Sequence, residues 1–202
     1  MLGLPKSTEI TKQLPKKAIY TKFNMNTAAK DKFDSEISKI VIVNEISPTT
    51  TTLEKGKEVS SFFVLLVSLK KKEFSENIIA QLSKLIPQNI LFILEFEGKC
   101  KLAVYRTKLI QSEWISSDKC TIQLNGLNVD TVWENIIVQI GGIQIESGNT
   151  LDEQIALDEQ RKKLQKDIDR LEKLARVEKQ PKKKFEIVQE VQSLQKELLK
   201  LT

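Results

Sequence analysis

The sequence contains no histidine. Histidine is the side chain whose unperturbed pKa lies nearest neutrality, and it is the commonest transition-metal ligand. Its absence excludes Ser-His-Asp and Cys-His triads, the usual histidine-bearing zinc sites and phosphotransfer through histidine. Carboxylate–lysine chemistry, tyrosine chemistry or no chemistry remains. Cysteine is nearly as scarce: Cys100 and Cys120 have neither metal-ligand spacing nor a CxxC neighbour. The sequence leaves a disulfide between them open, but a cytosolic setting favours free thiols. No apolar run approaches the ~20 residues that cross a bilayer. The opening "MLGLPKSTEI" lacks the basic-then-apolar plan of a secretory leader, so the expected location is the cytoplasm. Nothing in the chain calls for a cofactor or a bound metal, and none is expected.

What is there is the composition of a soluble globular chain, 40% hydrophobic and 29% charged over 202 residues. That length allows one ordinary domain with an appendage. Basic residues number 32 against 27 acidic ones, a net +5. An excess of that sign favours phosphate-rich partners, but at this length it is mild.

Along the chain, Ser7 is placed to cap a short helical turn before Pro15, and Asn26 to cap "NTAAKDKFDSEISKI", with Phe33, Ile37 and Ile40 at helical spacing. "KIVIVNEIS" and "VSSFFVLLVSL" read as strands separated by the loop "PTTTTLEKGKE". Ser75 then caps a helix bearing Ile78, Ile79, Leu82, Leu85 and Ile86, stopped by Pro87. "NILFILEF" and "KLAVYRTKLI" form a hairpin about the glycine turn in "EGKC", and "TIQLNG" supplies a further short strand. Asp130 caps a final helix, "TVWENIIVQI", ended by Gly141 and Gly142. The order predicts an α+β domain over residues 1–148, a small mixed β-sheet covered by helices. The helix between the second and third strands permits those two to pair in parallel.

From about residue 149 the character changes. Leu157, Leu164, Ile168, Leu171 and Ala175 alternate by fours and threes, and Ile187, Val191, Leu194, Leu198 and Leu201 repeat the pattern after Pro181. Such a seam predicts a C-terminal antiparallel helical hairpin, coiled-coil-like, over 149–202, with "EKQPKKK" at its bend. Ile155, Phe185 and Leu199 fall off the seam and predict a second apolar surface. Two helices alone bury little area, so this pattern calls for a third surface: the chain's own sheet, a second copy or another subunit.

Candidate chemistry is sparse. Glu97 and Lys99 have the E-x-K spacing of metal-dependent nucleases, and Glu45 or Glu95 would supply the further carboxylate. The same "EGK" falls where a hairpin turn belongs, and Glu45 and Glu95 equally suit outward-facing strand positions. Lys70, Lys71 and Lys72 suit gatekeepers of a very apolar strand. Lys182, Lys183 and Lys184, at the bend of the hairpin, are the better candidates for phosphate contact. Trp114 and Trp133 sit among apolar neighbours and read as core, so only weak nucleic-acid contact is expected.

"LPKKAIY", "KIVIVNEISPTT" and "LSKLIPQNILFILEFEGKCKLAVYRTKLI", taken in that order, resemble a family of small bacterial proteins catalogued as domain of unknown function 4391. The resemblance spans nearly the whole chain, and "KLIPQNILF" is its most specific part. It implies a setting beside helicases and DNA methyltransferases of restriction-like systems, and it supplies no catalytic residue. The residues and the resemblance together give a first reading as a non-enzymatic accessory subunit. It would dock on a larger protein, a helicase or DNA methyltransferase, through Leu157, Leu164, Ile168, Leu171, Ile187, Val191, Leu194 and Leu198, with self-association open. A metal-dependent nuclease and a basic nucleic-acid-binding module are the alternatives.

Overall fold

The computed structural model describes residues 2–201. The chain divides into two compact units, Met1–Ile143 and Gln144–Thr202. The first unit is built on one mixed sheet: β1 (Glu9–Gln13), β2 (Ile37–Ile46), β3 (Phe62–Leu69), β4 (Asn89–Phe96), β5 (Lys99–Tyr105) and β6 (Leu109–Gln111), in that spatial order. A two-residue strand, β7 (Ile115–Ser116), also pairs with β5. Every pairing is antiparallel except β3 with β4. Those two run parallel because α3 (Glu76–Leu82) carries the chain back between them.

The two central strands are apolar along their length because helices cover both sheet faces. On one face α1 (Lys16–Lys22), α2 (Thr27–Glu36) and α3 bring Ile19, Phe33, Ile79 and Leu82 onto Leu65, Val67, Phe92 and Leu94. On the other lies α4 (Val129–Gly141), with Val132, Trp133, Ile136 and Ile137 buried and the Trp133 ring 5.0 Å from that of Phe62. Lys16 helps fasten α1 to α2: its ammonium donates to Asp34 and to the Ile37 carbonyl, both at 2.6 Å. Tyr20 donates to the same Asp34 carboxylate. Burial, then Asp34, pushes the Tyr20 phenol up to about 12.

Several sequence expectations are corrected. The segment before Pro15 is a 3-10 turn, Lys6–Thr8, followed by the edge strand β1. Ser7 donates to the Thr50 carbonyl instead of capping a helix. Asn26 does cap α2, accepting from the Ala29 amide at 2.8 Å. That helix ends at Glu36, and Ile37 and Ile40 belong to β2, where a β-branched run outweighs the helical spacing. Ser75 sits at the N-cap of α3 without a side-chain cap bond, and the helix stops at Leu82. "KLAVYRTKLI" breaks into β5 and β6, and the strand expected at "TIQLNG" is replaced by β7 upstream.

Asp130 is not the cap of α4. Asn128 is, in a reciprocal capping box with Thr131. The Asp130 carboxylate instead accepts from the amides of Lys57 at 2.6 Å, Glu58 at 3.2 Å and Val59 at 2.6 Å. It thereby ties the loop before β3 to α4. Gly56 makes this approach possible, since a Cβ there would lie 2.2 Å from Asp130 Oδ1. The Val59 amide foremost, with those of Lys57 and Glu58, holds the Asp130 carboxyl below its usual range.

The second unit is a pair of long helices, α5 (Leu151–Val177) and α6 (Pro181–Lys200), packed on each other. Thr150 caps α5 in a reciprocal box with Glu153. Pro181 is the first residue of α6, where its missing amide hydrogen costs nothing.

Candidate functional site

For the nuclease alternative Glu97 and Lys99 would have to converge with Glu45 or Glu95, and the sheet register separates them. Glu97 and Gly98 are the two central residues of the β4–β5 turn. Their φ values of 46° and 73° are of the kind a two-residue type I′ hairpin requires. Both are exposed, as is Lys99. Glu95 is half-buried, opposite Cys100, and accepts from Ser68 Oγ at 3.3 Å. Phe96 pairs with Lys99, so Lys99 and Glu95 point to opposite faces. Glu45 pairs with Phe63, five residues along β3 from the Ser68 that pairs with Glu95. Five residues of strand put Glu45 and Glu95 roughly 16 Å apart along the sheet, and the odd count sets them on opposite faces. Among the described residues no group of three or more Asp, Glu, Cys or His is placed to hold a metal ion.

A cleft of about 360 Å³ does exist at the end of the sheet where β4 begins. Glu58, Asn89, Tyr105, Arg106, Asp130 and Glu134 line it. Sequence reasoning did not find it, because its walls come from four separate segments without a common motif. Asp130, its best-anchored acid, is engaged by the loop amides described above. Of the lysines after β3, Lys71 lies 3.7 Å from the buried Glu36, whose other oxygen accepts from the Ser75 amide. Cys100 and Cys120 are buried free thiols, and burial raises both, Cys120 to about 12. Trp133 is core; Trp114 is half-buried with Lys101 5.6 Å from its ring centre.

The helical hairpin carries the remaining candidates. Leu164, Ile168, Leu171, Ala175 and Val191 are buried along the seam, and Leu157, Ile187, Leu194 and Leu198 are half-buried. Its open end is closed by Arg161, whose guanidinium donates to the Leu201 carbonyl and pairs with Glu146 at 2.6 Å. Arg161 holds the Glu146 carboxyl low. Gln154, 1% exposed, accepts from the Glu146 amide and from Asn149 Nδ2, each at 3.0 Å, fixing the lead-in to α5. Ile155 is buried as well, which separates it from the exposed residues with which the sequence grouped it.

Outside the seam the hairpin stays apolar in places. Of eight exposed large hydrophobic residues among those described, Leu174, Val177, Phe185, Val188 and Leu199 belong to α5 and α6. On α6, Phe185, Val188, Gln192, Gln195 and Leu199 recur at threes and fours and none is charged. At 100° per residue this stripe lies about 110° round the helix from the seam. A helix with two uncharged faces so disposed resembles a bundle member with one neighbour in place. The sequence signalled Phe185 and Leu199; Val188 was missed because the seam residue Ile187 drew the periodicity.

The bend end is basic. Lys182, Lys183 and Lys184 are exposed in the first turn of α6, which has no side-chain cap and no acidic residue in that turn. Three cations at the positive end of a helix macrodipole oppose the helix they occupy. α5 is built the favourable way round, with Asp152 and Glu153 in its first turn and Arg176 in its last.

A family model described as Domain of unknown function (DUF4391) matches residues 2–198. No curated protein and no solved structure matches the chain.

Proposed function

The chain belongs to the DUF4391 family, and on that premise we propose that it is a non-enzymatic accessory subunit. It docks through α5 and α6 onto a larger protein of a DNA-processing assembly. One observation carries this reading: the second unit exposes Leu174, Val177, Phe185, Val188 and Leu199 although its seam is already filled. Exposed apolar residues concentrated on two helices, rather than scattered, mark a surface that meets another protein. The family resemblance supplies the class of partner, a helicase or DNA methyltransferase of a restriction-like system. The distribution of Glu45, Glu95, Glu97 and Lys99 over two sheet faces and an exposed turn weighs against the nuclease alternative.

The test is affinity capture of the full chain from its native host, read by mass spectrometry, beside the variant Phe185→Asp/Val188→Asp. The expected result is a large DNA-processing subunit held by the wild type and lost from the variant while both retain helical circular dichroism. Capture that persists in the variant places the contact elsewhere and refutes the reading. Magnesium- or manganese-dependent cleavage of nucleic acid abolished by Glu97→Gln or Lys99→Ala would replace it with the nuclease.

A further inference from the structure

Charge in this chain is distributed very unevenly. The sixteen residues from Arg170 to Phe185 hold seven of the 32 basic residues and two of the 27 acidic ones, leaving 25 of each everywhere else. The whole formal excess of the protein therefore resides at the bend of the hairpin. Arg170, Lys173, Arg176, Lys179, Lys182, Lys183 and Lys184 are all exposed. Only Arg170 has an acidic partner near it, Asp167 at 3.3 Å; among the described residues the other six form no ion pair.

The arrangement of these charges selects among polyanions. Arg170, Lys173 and Arg176 step round α5 by about 60° each, and Lys182 to Lys184 sweep about 200° of α6. The cations therefore encircle the end of the hairpin instead of lining one side. A flat anionic membrane would meet only half of them, and an acidic peptide lying on one face would meet fewer. A duplex groove presents phosphates on both flanks. The end of the hairpin is two packed helices, about 20 Å across, so it spans the major groove, about 12 Å wide, and reaches the backbone on both sides.

We infer that the α5–α6 bend is a phosphate-backbone clamp that straddles a groove of duplex DNA without reading its sequence. The inference deepens the docking reading, adding a nucleic-acid contact at the tip to a protein contact on the hairpin's side. Its test does not depend on that reading, because it uses the isolated full chain with no protein partner.

Anisotropy of a labelled mixed-sequence DNA duplex is measured against full chain between 20 and 200 mM NaCl. Counterion release predicts a log–log salt slope of about −0.9 per neutralised phosphate. The variant Lys182→Ala/Lys183→Ala/Lys184→Ala should bind at least about tenfold more weakly at the lowest salt, with a slope shallower by about 3. Lys12→Ala/Lys17→Ala/Lys22→Ala, which removes as many exposed charges from the first unit, should leave the slope unchanged. Circular dichroism confirms that both variants keep their helices. No binding at 20 mM NaCl, equal slopes for both variants, or preference for polyglutamate or phosphatidylserine vesicles over duplex overturns the inference. Partner capture that still depends on Phe185 and Val188 would leave the docking reading standing after such a failure.

Discussion

Ile168→Ala is the sharpest probe of how the chain is put together. Ile168 is 3% exposed and packs in a small cluster with Leu171 and Val191, flanked by Ile187, Leu194 and Leu198. Removing its branched side chain should cost about 2–4 kcal/mol, the usual range for such a cavity. A two-helix unit with a core this small has little more stability than that. The variant hairpin should therefore melt near room temperature. α5 and α6 have 27 and 20 residues, more than half of the α-helical residues described, so ellipticity at 222 nm should fall by about half. Both tryptophans, Trp114 and Trp133, lie in the first unit, and α5 and α6 contain no aromatic residue but Phe185. Tryptophan fluorescence thus reports the sheet domain alone and should keep its wild-type midpoint. If ellipticity and fluorescence are lost together at one lowered midpoint, the two units unfold as one and the reasoning fails.

Three further outcomes follow from local geometry. Asp34 is held low by its bonds from Lys16 and then Tyr20, and Asp130 by the loop amides, each from an ordinary value of 3.8. A carboxyl whose folded pKa is depressed contributes stability that is complete above its unfolded value and is lost as pH falls through the folded one. The melting temperature should thus drop on acidification below about pH 4, and Asp130→Asn should start lower at pH 7 but lose less on acidification. Glu97→Asn should raise the melting temperature, because asparagine tolerates the positive φ of a type I′ turn and glutamate does not; a lowered midpoint would contradict the turn assignment. Cys100 and Cys120 should react with an aromatic disulfide reagent at pH 8 only after denaturant is added, since burial keeps both protonated; rapid native reaction would show that the thiols are accessible.

The parts of the fold legible in sequence were those whose burial leaves a periodic trace. β2, β3, β4 and the hairpin seam announced themselves through β-branched runs and heptad spacing. β1 did not, because "EITKQ" is almost wholly exposed and is a strand only through main-chain pairing with β2. Asp130 looked like a helix cap because its true role depends on amides more than seventy residues earlier. Ile37 and Ile40, three apart, fit only the helical period; in β2 a register shift between Ile37 and Lys39 lets both reach the same core, which the spacing does not reveal. At the candidate site the lysine run and the bend were readable; what was not is that Arg170, Lys173, Arg176 and Lys179 are exposed and, apart from Arg170, without an ion pair among the described residues.

The rims of the sheet limit how this protein can meet others. On one side β1 is five residues long, interrupted in register between Glu9 and Lys12, and flanked by charge. On the other, β6 and β7 have three and two residues. Neither rim offers a foreign strand the run of free main-chain donors and acceptors that extends a sheet. On the docking reading proposed above, recognition falls to side chains on helices, where a few anchors carry most of the affinity. A partnership of that kind is brittle: single substitutions in the partner can abolish it, and matched substitutions in both chains can restore it. Pairs of such proteins can therefore diverge into mutually exclusive sets without any change of fold.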